Sequence, residues 1–266
     1  MNAPSFTYEL PGMANARIIR DLAYALDGDR RLGLDIYQPS GLAPGDALPA
    51  VIFVHGDAPP ERLAGIKNHP QYEMWGRLVA ASGMVAVVFE HRSSHGFSRV
   101  GAVLDDVRAA LALIRERAGE FGIDRARLGI WSCSAGGYLG ILAALEPDAD
   151  YLRCAACYYG ILDLELFIER AGGRPDGELA RYNPLHLLGS ERATTLPLQI
   201  VRAGRDYPVF NAAADSFIRA ALEHNLNLEL INYAAGEHAF DGTDRSATTG
   251  WIIQRTLDFL AHHLSA

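Results

Sequence analysis

Between residues 126 and 145 one kind of apolar run gives way abruptly to another. Leu128 to Trp131 has β character, Tyr138 to Leu145 is apolar and alanine-rich as a buried helix would be, and only small residues lie between: Ser132, Cys133, Ser134, Ala135, Gly136 and Gly137. A strand that becomes a helix over a single residue holds that residue in a strained backbone conformation. The two elements then approach so closely that the positions two before and two after the pivot must be small. Ser134 meets this, with Ser132 before it and Gly136 after it. With Ser132 as the pivot, Ile130 would occupy a position that must be small, so that register is rejected. The bland alternative is a glycine-rich turn found in any α/β protein. What decides between the two is whether Ser134 has partners elsewhere in the chain.

The remaining chain supplies alternating strands and helices. Residues 17–26 and 31–37 alternate apolar with polar around Asp27-Gly-Asp-Arg30, which predicts an antiparallel hairpin at a sheet edge. A loop rich in Pro and Gly, Pro39 to Pro49, precedes Ala50–Val54, a continuous apolar strand of the kind buried on both faces of a parallel sheet. The pattern then predicts a helix over 72–82 closed by Gly83, a strand over 84–89 and a helix over 101–118. After the turn at Ser134 come a strand at 153–159, a strand at 198–203, a helix over 209–224, a strand at 226–233 and a last helix over 250–264. The expectation is an α/β fold with a mostly parallel central sheet, antiparallel edge strands and helices on both faces. It is read as one domain over 1–266, with no internal repeat or linker. Residues 162–188, containing Gly172-Gly-Arg-Pro-Asp-Gly177, are either a small cap over a site or an ordinary crossover.

Composition removes several function classes. At 49% hydrophobic and 21% charged, the 266 residues bury a real core. A formal net charge of −8 offers no basic surface for nucleic acid or anionic lipid. The first residues, Met1-Asn-Ala-Pro-Ser-Phe-Thr-Tyr-Glu9, carry neither a basic start nor an apolar core, so no signal peptide is expected, and no apolar run approaches bilayer length. A soluble, cytoplasmic protein is the expectation. Cys154-Ala-Ala-Cys157 matches a C-x-x-C spacing inside a strand-like run, but residues three apart on a strand face opposite sides. Both are read as buried core thiols, and His262-His263 as solvated surface with no metal role.

A serine hydroxyl is a poor nucleophile at neutral pH and needs a base. In a parallel sheet, functional loops gather at the carboxyl ends of strands, where His55, His91 and His238 are expected. His238 lies in a glycine-bearing loop between the last strand and the last helix, and Asp206 follows the preceding strand directly. Ser134, Asp206 and His238 therefore occur in the chain order that this sheet topology produces for nucleophile, acid and base. An oxyanion formed at Ser134 would need donors: the Ala135 N–H, just after the serine, and a second from Gly56 or Asp57 in the loop after strand 50–54. Tyr207, Phe210 and Asn211, which follow Asp206, are candidate pocket residues. Arg92 is either a contact for a substrate carboxylate or a structural ion-pair former.

These residues resemble the α/β-hydrolase superfamily, and within it the esterase, lipase and dienelactone hydrolase-like members. The resemblance covers nearly the whole chain. It matches Ser134 to the nucleophile, Asp206 to the acid, His238 to the base and His55-Gly56 to the start of the oxyanion loop. Tyr159-Gly160 and Phe89-Glu-His-Arg92 are similar to family segments as well. Two departures stand out. Asp57 occupies a position where lipase-like members have another glycine, so its carboxylate must turn away or Gly56 must be the donor. Dienelactone hydrolases use a cysteine nucleophile, whereas here Cys133 is one position too early. The resemblance implies a serine hydrolase of small carboxylic esters that needs no cofactor. The same machinery would also serve a lactone, an amide or a small peptide, or pass the acyl group to an alcohol. A silent binding protein on this fold usually lacks one of the three residues.

Overall fold

A computed structural model of the chain describes residues 6–265. The N-terminal stretch read above as lacking a signal-peptide pattern lies, through residue 5, outside the described residues. The chain runs β1 (Arg17–Asp27), β2 (Arg30–Gln38), β3 (Leu48–Val54), α1 (Pro60–Leu63), α2 (Pro70–Ala81), β4 (Val85–Phe89), α3 (Val100–Glu116), β5 (Ile123–Cys133) and α4 (Gly136–Leu145). It continues through β6 (Leu152–Tyr158), α5 (Leu164–Arg170), α6 (Glu191–Thr195), β7 (Leu198–Ala203), α7 (Pro208–Glu223), β8 (Leu228–Tyr233), α8 (Phe240–Thr243) and α9 (Ala247–Leu264).

The strands form one sheet in the order β1-β2-β4-β3-β5-β6-β7-β8. β1 pairs antiparallel with β2, β2 antiparallel with β4, and every other neighbouring pair is parallel. This is the α/β-hydrolase architecture expected from the sequence. Because side chains alternate along a strand, β3 sends Ala50, Ile52 and Val54 to one core with α3, α4 and α7, and Val51 and Phe53 to the other with α2 and α9. Helices therefore cover both faces. Every residue of α4 is buried, which explains why its sequence is apolar all round rather than striped. Cys157 packs in the first core and Cys154 in the second, on opposite faces of β6. Burial pushes both thiols up to about 12.

The boundaries shift where local chemistry overrides periodicity. β1 does not alternate cleanly, because its register slips between Ile19 and Leu22, where Asp21 takes a left-handed φ of 59°. Lys67 from the loop before α2 reaches in to hold that bulge, binding Asp21 at 2.6 Å and Asp35 at 2.8 Å. α2 begins at Pro70, two residues earlier than predicted, with the proline in its first turn. α9 begins at Ala247 because the Ser246 side chain accepts the Thr249 N–H at 3.2 Å. Residues 162–188 contain one seven-residue helix and two 3-10 turns, tied to α7 by the Ser216 hydroxyl, which donates to Asp163 at 2.7 Å.

Candidate active site

Ser134 sits at the junction of β5 and α4 with φ of 54°, a left-handed value that costs a non-glycine residue energy. The surroundings over-determine it. Its N–H donates to Tyr158 O at 3.0 Å, and its carbonyl accepts from Gly137 and Ile161, both at 3.0 Å. The need for small neighbours has a specific origin. A Cβ at Gly136 would overlap the carbonyl oxygens of Val54 and His55, so α4 can start here only with glycine. Ser132 is small because Gly140 of α4 passes directly over it, with the position of a Cβ at 140 only 2.9 Å from the Ser132 Cβ.

Three strand ends bring the predicted residues together. The Ser134 Oγ lies 3.0 Å from His238 Nε2, and His238 Nδ1 lies 2.9 Å from both Asp206 oxygens. The Asp206 side chain is 1% exposed and that of His238 25%, so the carboxylate is enclosed while the imidazole faces an opening. Tyr207 N–H donates to Asp206 Oδ1 at 2.6 Å, which fixes the carboxylate. With Nδ1–H given to Asp206, the imidazole offers Nε2 as acceptor to the serine proton. The arrangement can deprotonate Ser134 as it attacks and can stabilise the imidazolium that results.

On the other side of Ser134 lies the loop after β3. Gly56 approaches it so closely that a Cβ there would sit 3.0 Å from the Ser134 Cβ and 3.3 Å from Oγ. The Asp57 carboxylate turns away, accepting the hydroxyl of Ser94, the Ser94 N–H at 3.2 Å and the Ala58 N–H at 2.9 Å. That removes the objection raised by a carboxylate beside an oxyanion. Among the described residues, the N–H groups of Asp57 and Ala135 have no hydrogen-bond acceptor. His55 and His91 do not join the chemistry. They stack at 3.7 Å, the His91 N–H donates to His55 Nε2 at 3.1 Å, and burial holds His55 well below the usual imidazole range. His55 Nδ1 in turn meets Gly56 O at 2.7 Å, so this pair braces the loop.

Sequence reasoning missed a buried network beneath the histidine. Asp241, three residues after His238, accepts from Tyr159 Oη at 2.6 Å, Gln71 Nε2 at 2.7 Å and Trp75 Nε1 at 2.8 Å. It is 1% exposed and, among the described residues, has no cationic partner, and burial raises its carboxyl above the ordinary 3.8. Tyr159 also packs its ring 4.8 Å from His238. An aspartate inside a glycine-bearing turn reads as a cap, and nothing in spacing distinguishes it. Tyr72 of α2 was missed too. Its hydroxyl lies 3.5 Å from Cys133 Sγ, and burial pushes the Cys133 thiol up to about 12.

The candidate pocket residues divide. A cavity of about 360 Å³ beside His238 is lined by Arg205, Asp206, Tyr207, Pro208 and Glu237. Phe210 packs edge-on against His238 at 4.7 Å and against Phe167 of α5 at 5.0 Å. Neither Phe210 nor Asn211 lines this cavity, and the Asn211 amide donates to the Gly204 carbonyl, in the turn after β7, at 3.4 Å. Arg92 is held by Asp106 at 2.7 and 2.8 Å and by Asp27 at 3.4 Å, so it serves the structural role. Among the described residues no group of three or more His, Cys, Asp or Glu side chains is placed to hold a metal ion, and no helix is long and apolar enough to cross a membrane.

A family model described as BD-FAE matches residues 34–162, from β2 through the turn at Ser134 to the end of β6. Esterase LipQ of Mycobacterium tuberculosis is 32% identical over 268 aligned positions, covering 90% of this chain and 61% of LipQ. LipM of the same organism, described as a probable carboxylic ester hydrolase, is 30% identical over 176 positions, covering 59% of this chain and 39% of LipM. The chain thus spans less than two thirds of the length of these curated relatives. In fold it is similar to an esterase of Thermogutta terrifontis, Est2, with a TM-score of 0.71 at 22% identity, covering 95% of this chain and 94% of that one. Est2 has also been solved phosphorylated by paraoxon, with a TM-score of 0.69 at 22% identity, covering 96% and 94% of the two chains.

Proposed function

We propose that this chain, which has the α/β-hydrolase fold and is 32% identical to an esterase over 90% of its length, is a serine esterase that cleaves small to medium carboxylic esters through an acyl-enzyme. The observation that carries the proposal is the continuous hydrogen-bond chain from Ser134 Oγ through His238 to Asp206. The strained turn that presents Ser134, and the esterases among the relatives, support it.

The steps follow from the geometry. Ser134 Oγ bonds to the ester carbonyl carbon as its proton passes to His238 Nε2, and the carbonyl oxygen becomes an oxyanion. Collapse breaks the bond to the alcohol oxygen, which takes the proton from Nε2 and leaves. Water then gives a proton to the same nitrogen as it attacks the acyl carbon, and a second collapse returns that proton to Ser134 and releases the acid. Asp206 stays ionised throughout, holding the ring and stabilising its positive form. The Ala135 N–H and the Gly56 or Asp57 N–H receive the oxyanion. The cavity beside His238, lined by Tyr207, offers room on the base's side of the site for part of a small substrate.

In the same reading the chain acts as one domain, with residues 162–188 forming a side wall through Phe167 rather than a broad cap. Its three cysteines are all unpaired, which suits a reducing compartment, so a cytoplasmic location is part of the proposal. The test is hydrolysis of short aryl esters by the purified protein beside Ser134→Ala, with a fluorophosphonate label mapped by mass spectrometry. Activity should fall on the order of 10⁶-fold in the variant, and the label should sit on Ser134. A folded wild type that is inert and unlabelled overturns the proposal.

A further inference from the structure

We infer that the Tyr72 hydroxyl is a catalytic donor to the oxyanion, beside the N–H groups of the Gly56 loop and Ala135. The inference rests on the serine-esterase reading above. It starts from the departure in the loop after β3, where Asp57 replaces a glycine and the carboxylate is committed to Ser94.

Gly56 is the loop residue packed on Ser134, and its N–H faces the Tyr72 oxygen and the Cys133 sulfur. Tyr72 is thus placed against Cys133, the residue before Ser134, and beside Gly56, the residue packed on Ser134. The hydroxyl's side-chain partner is the Cys133 thiol at 3.5 Å. A thiol is a weak acceptor, so the phenol proton is free to move to a strong one. Tyr72 is 9% exposed, and burial holds its pKa well above 10, so it remains a donor at neutral pH.

Position is fixed as well as protonation. Gln71 and Trp75, the neighbours of Tyr72 on α2, are bound to Asp241, so the helix segment carrying the phenol is anchored before any substrate arrives. A donor that is buried, preoriented and weakly engaged in the resting site strengthens its interaction as negative charge develops. This is how a group lowers a barrier rather than merely binding substrate.

The experiment compares wild type, Tyr72→Phe and Cys133→Ala in aryl-ester hydrolysis, with fluorophosphonate labelling of Ser134 and inhibition by an alkyl trifluoromethyl ketone. That ketone forms a tetrahedral adduct bearing an oxyanion. Tyr72→Phe should lose about 10²-fold in kcat with KM little changed, and should lose trifluoromethyl ketone affinity in the same proportion. Cys133→Ala removes only the resting partner of the hydroxyl and should stay within about threefold of wild type. Equal losses in the two variants would mean that the Tyr72–Cys133 contact supports structure and would overturn the inference. So would an active, labelled wild type whose Tyr72→Phe form keeps its kcat and ketone affinity. An inert, unlabelled wild type overturns the esterase reading and this inference with it. If Tyr72→Phe does not fold, 3-fluorotyrosine at position 72 keeps the hydroxyl and changes its acidity. It should then shift kcat but not KM, and an unchanged kcat overturns the inference.

Discussion

Replacing Asp241 with alanine should destabilise the protein and disable it by separate, measurable amounts. The carboxylate accepts from Tyr159, Gln71 and Trp75, and each donor left buried without an acceptor costs about 1–3 kcal/mol. The Gln71 to Tyr159 bond at 3.0 Å survives, and the variant escapes the cost of burying a carboxylate that burial already holds above its ordinary pKa. The net loss is then about 3–5 kcal/mol, in the range found when one member of a buried charged network is removed. For a chain of this size that lowers Tm by about 6–20 °C. Well below the new Tm the variant should remain folded, yet kcat/KM should fall about 10²-fold, because the loop bearing His238 loses its anchor and the imidazole drifts from Ser134. Calorimetry and aryl-ester kinetics at 20 °C, chosen to lie below both transitions, make the two measurements. A Tm within about 2 °C of wild type would refute the energetic argument, and a stability loss with full kcat/KM would refute the mechanical one. The sign of the pH effect is a further check. The folded state binds the Asp241 proton more tightly than the unfolded chain does, so this group's contribution is fully present below 3.8 and is lost as pH rises through the folded value. The stability gap between wild type and Asp241→Asn should narrow with rising pH, and a widening gap would contradict the assignment.

Other perturbations bear on the remaining elements. Asp206→Asn keeps the shape but favours the wrong imidazole tautomer, and kcat should drop about 10⁴-fold with the fold intact by circular dichroism. Gly136→Ala forces a methyl into the carbonyls of Val54, the last residue of β3, and of His55, which the stacked His91 braces, so it should yield little folded protein and no Ser134 label. Asp244, buried to a degree that works against its charge, is nonetheless lowered to about 2 by the hydroxyls of Thr249, Tyr233 and Ser246 and by the Ser246 N–H. Its stabilisation is present above 3.8 and is lost as pH falls through about 2, so wild type should shed more stability than Asp244→Asn across that interval in acid titrations.

The parts legible in the sequence are those where local chemistry and position along the chain agree. Small residues around Ser134 forced the turn, and uninterrupted apolar runs such as Val51–Val54 marked the central strands. Partners for Ser134 came from chain order, because a doubly wound sheet delivers successive strand ends to one rim. What stayed hidden arises from contacts between elements far apart in sequence. Gln71 and Asp241 are 170 residues apart, and either reads locally as a helix-start or turn residue. The surroundings of Asn211 were hidden for the same reason: it follows Asp206 closely, but its amide meets the Gly204 carbonyl from the first turn of α7. Bulges such as the one at Asp21 blur alternation and need a partner like Lys67, which the strand itself does not reveal.

The hydrogen bond from Trp75 to Asp241 also has an optical consequence. Of the three tryptophans, Trp251 is 58% exposed, whereas the rings of Trp75 and Trp131 lie 3.7 Å apart in the layer beneath α2. Two indoles at that separation couple electronically, and one of them is tied directly to the segment that follows the histidine. Near-ultraviolet circular dichroism should therefore register whether that segment is docked, with no added dye. The molecule carries, in one indole, a built-in gauge of whether its base is seated.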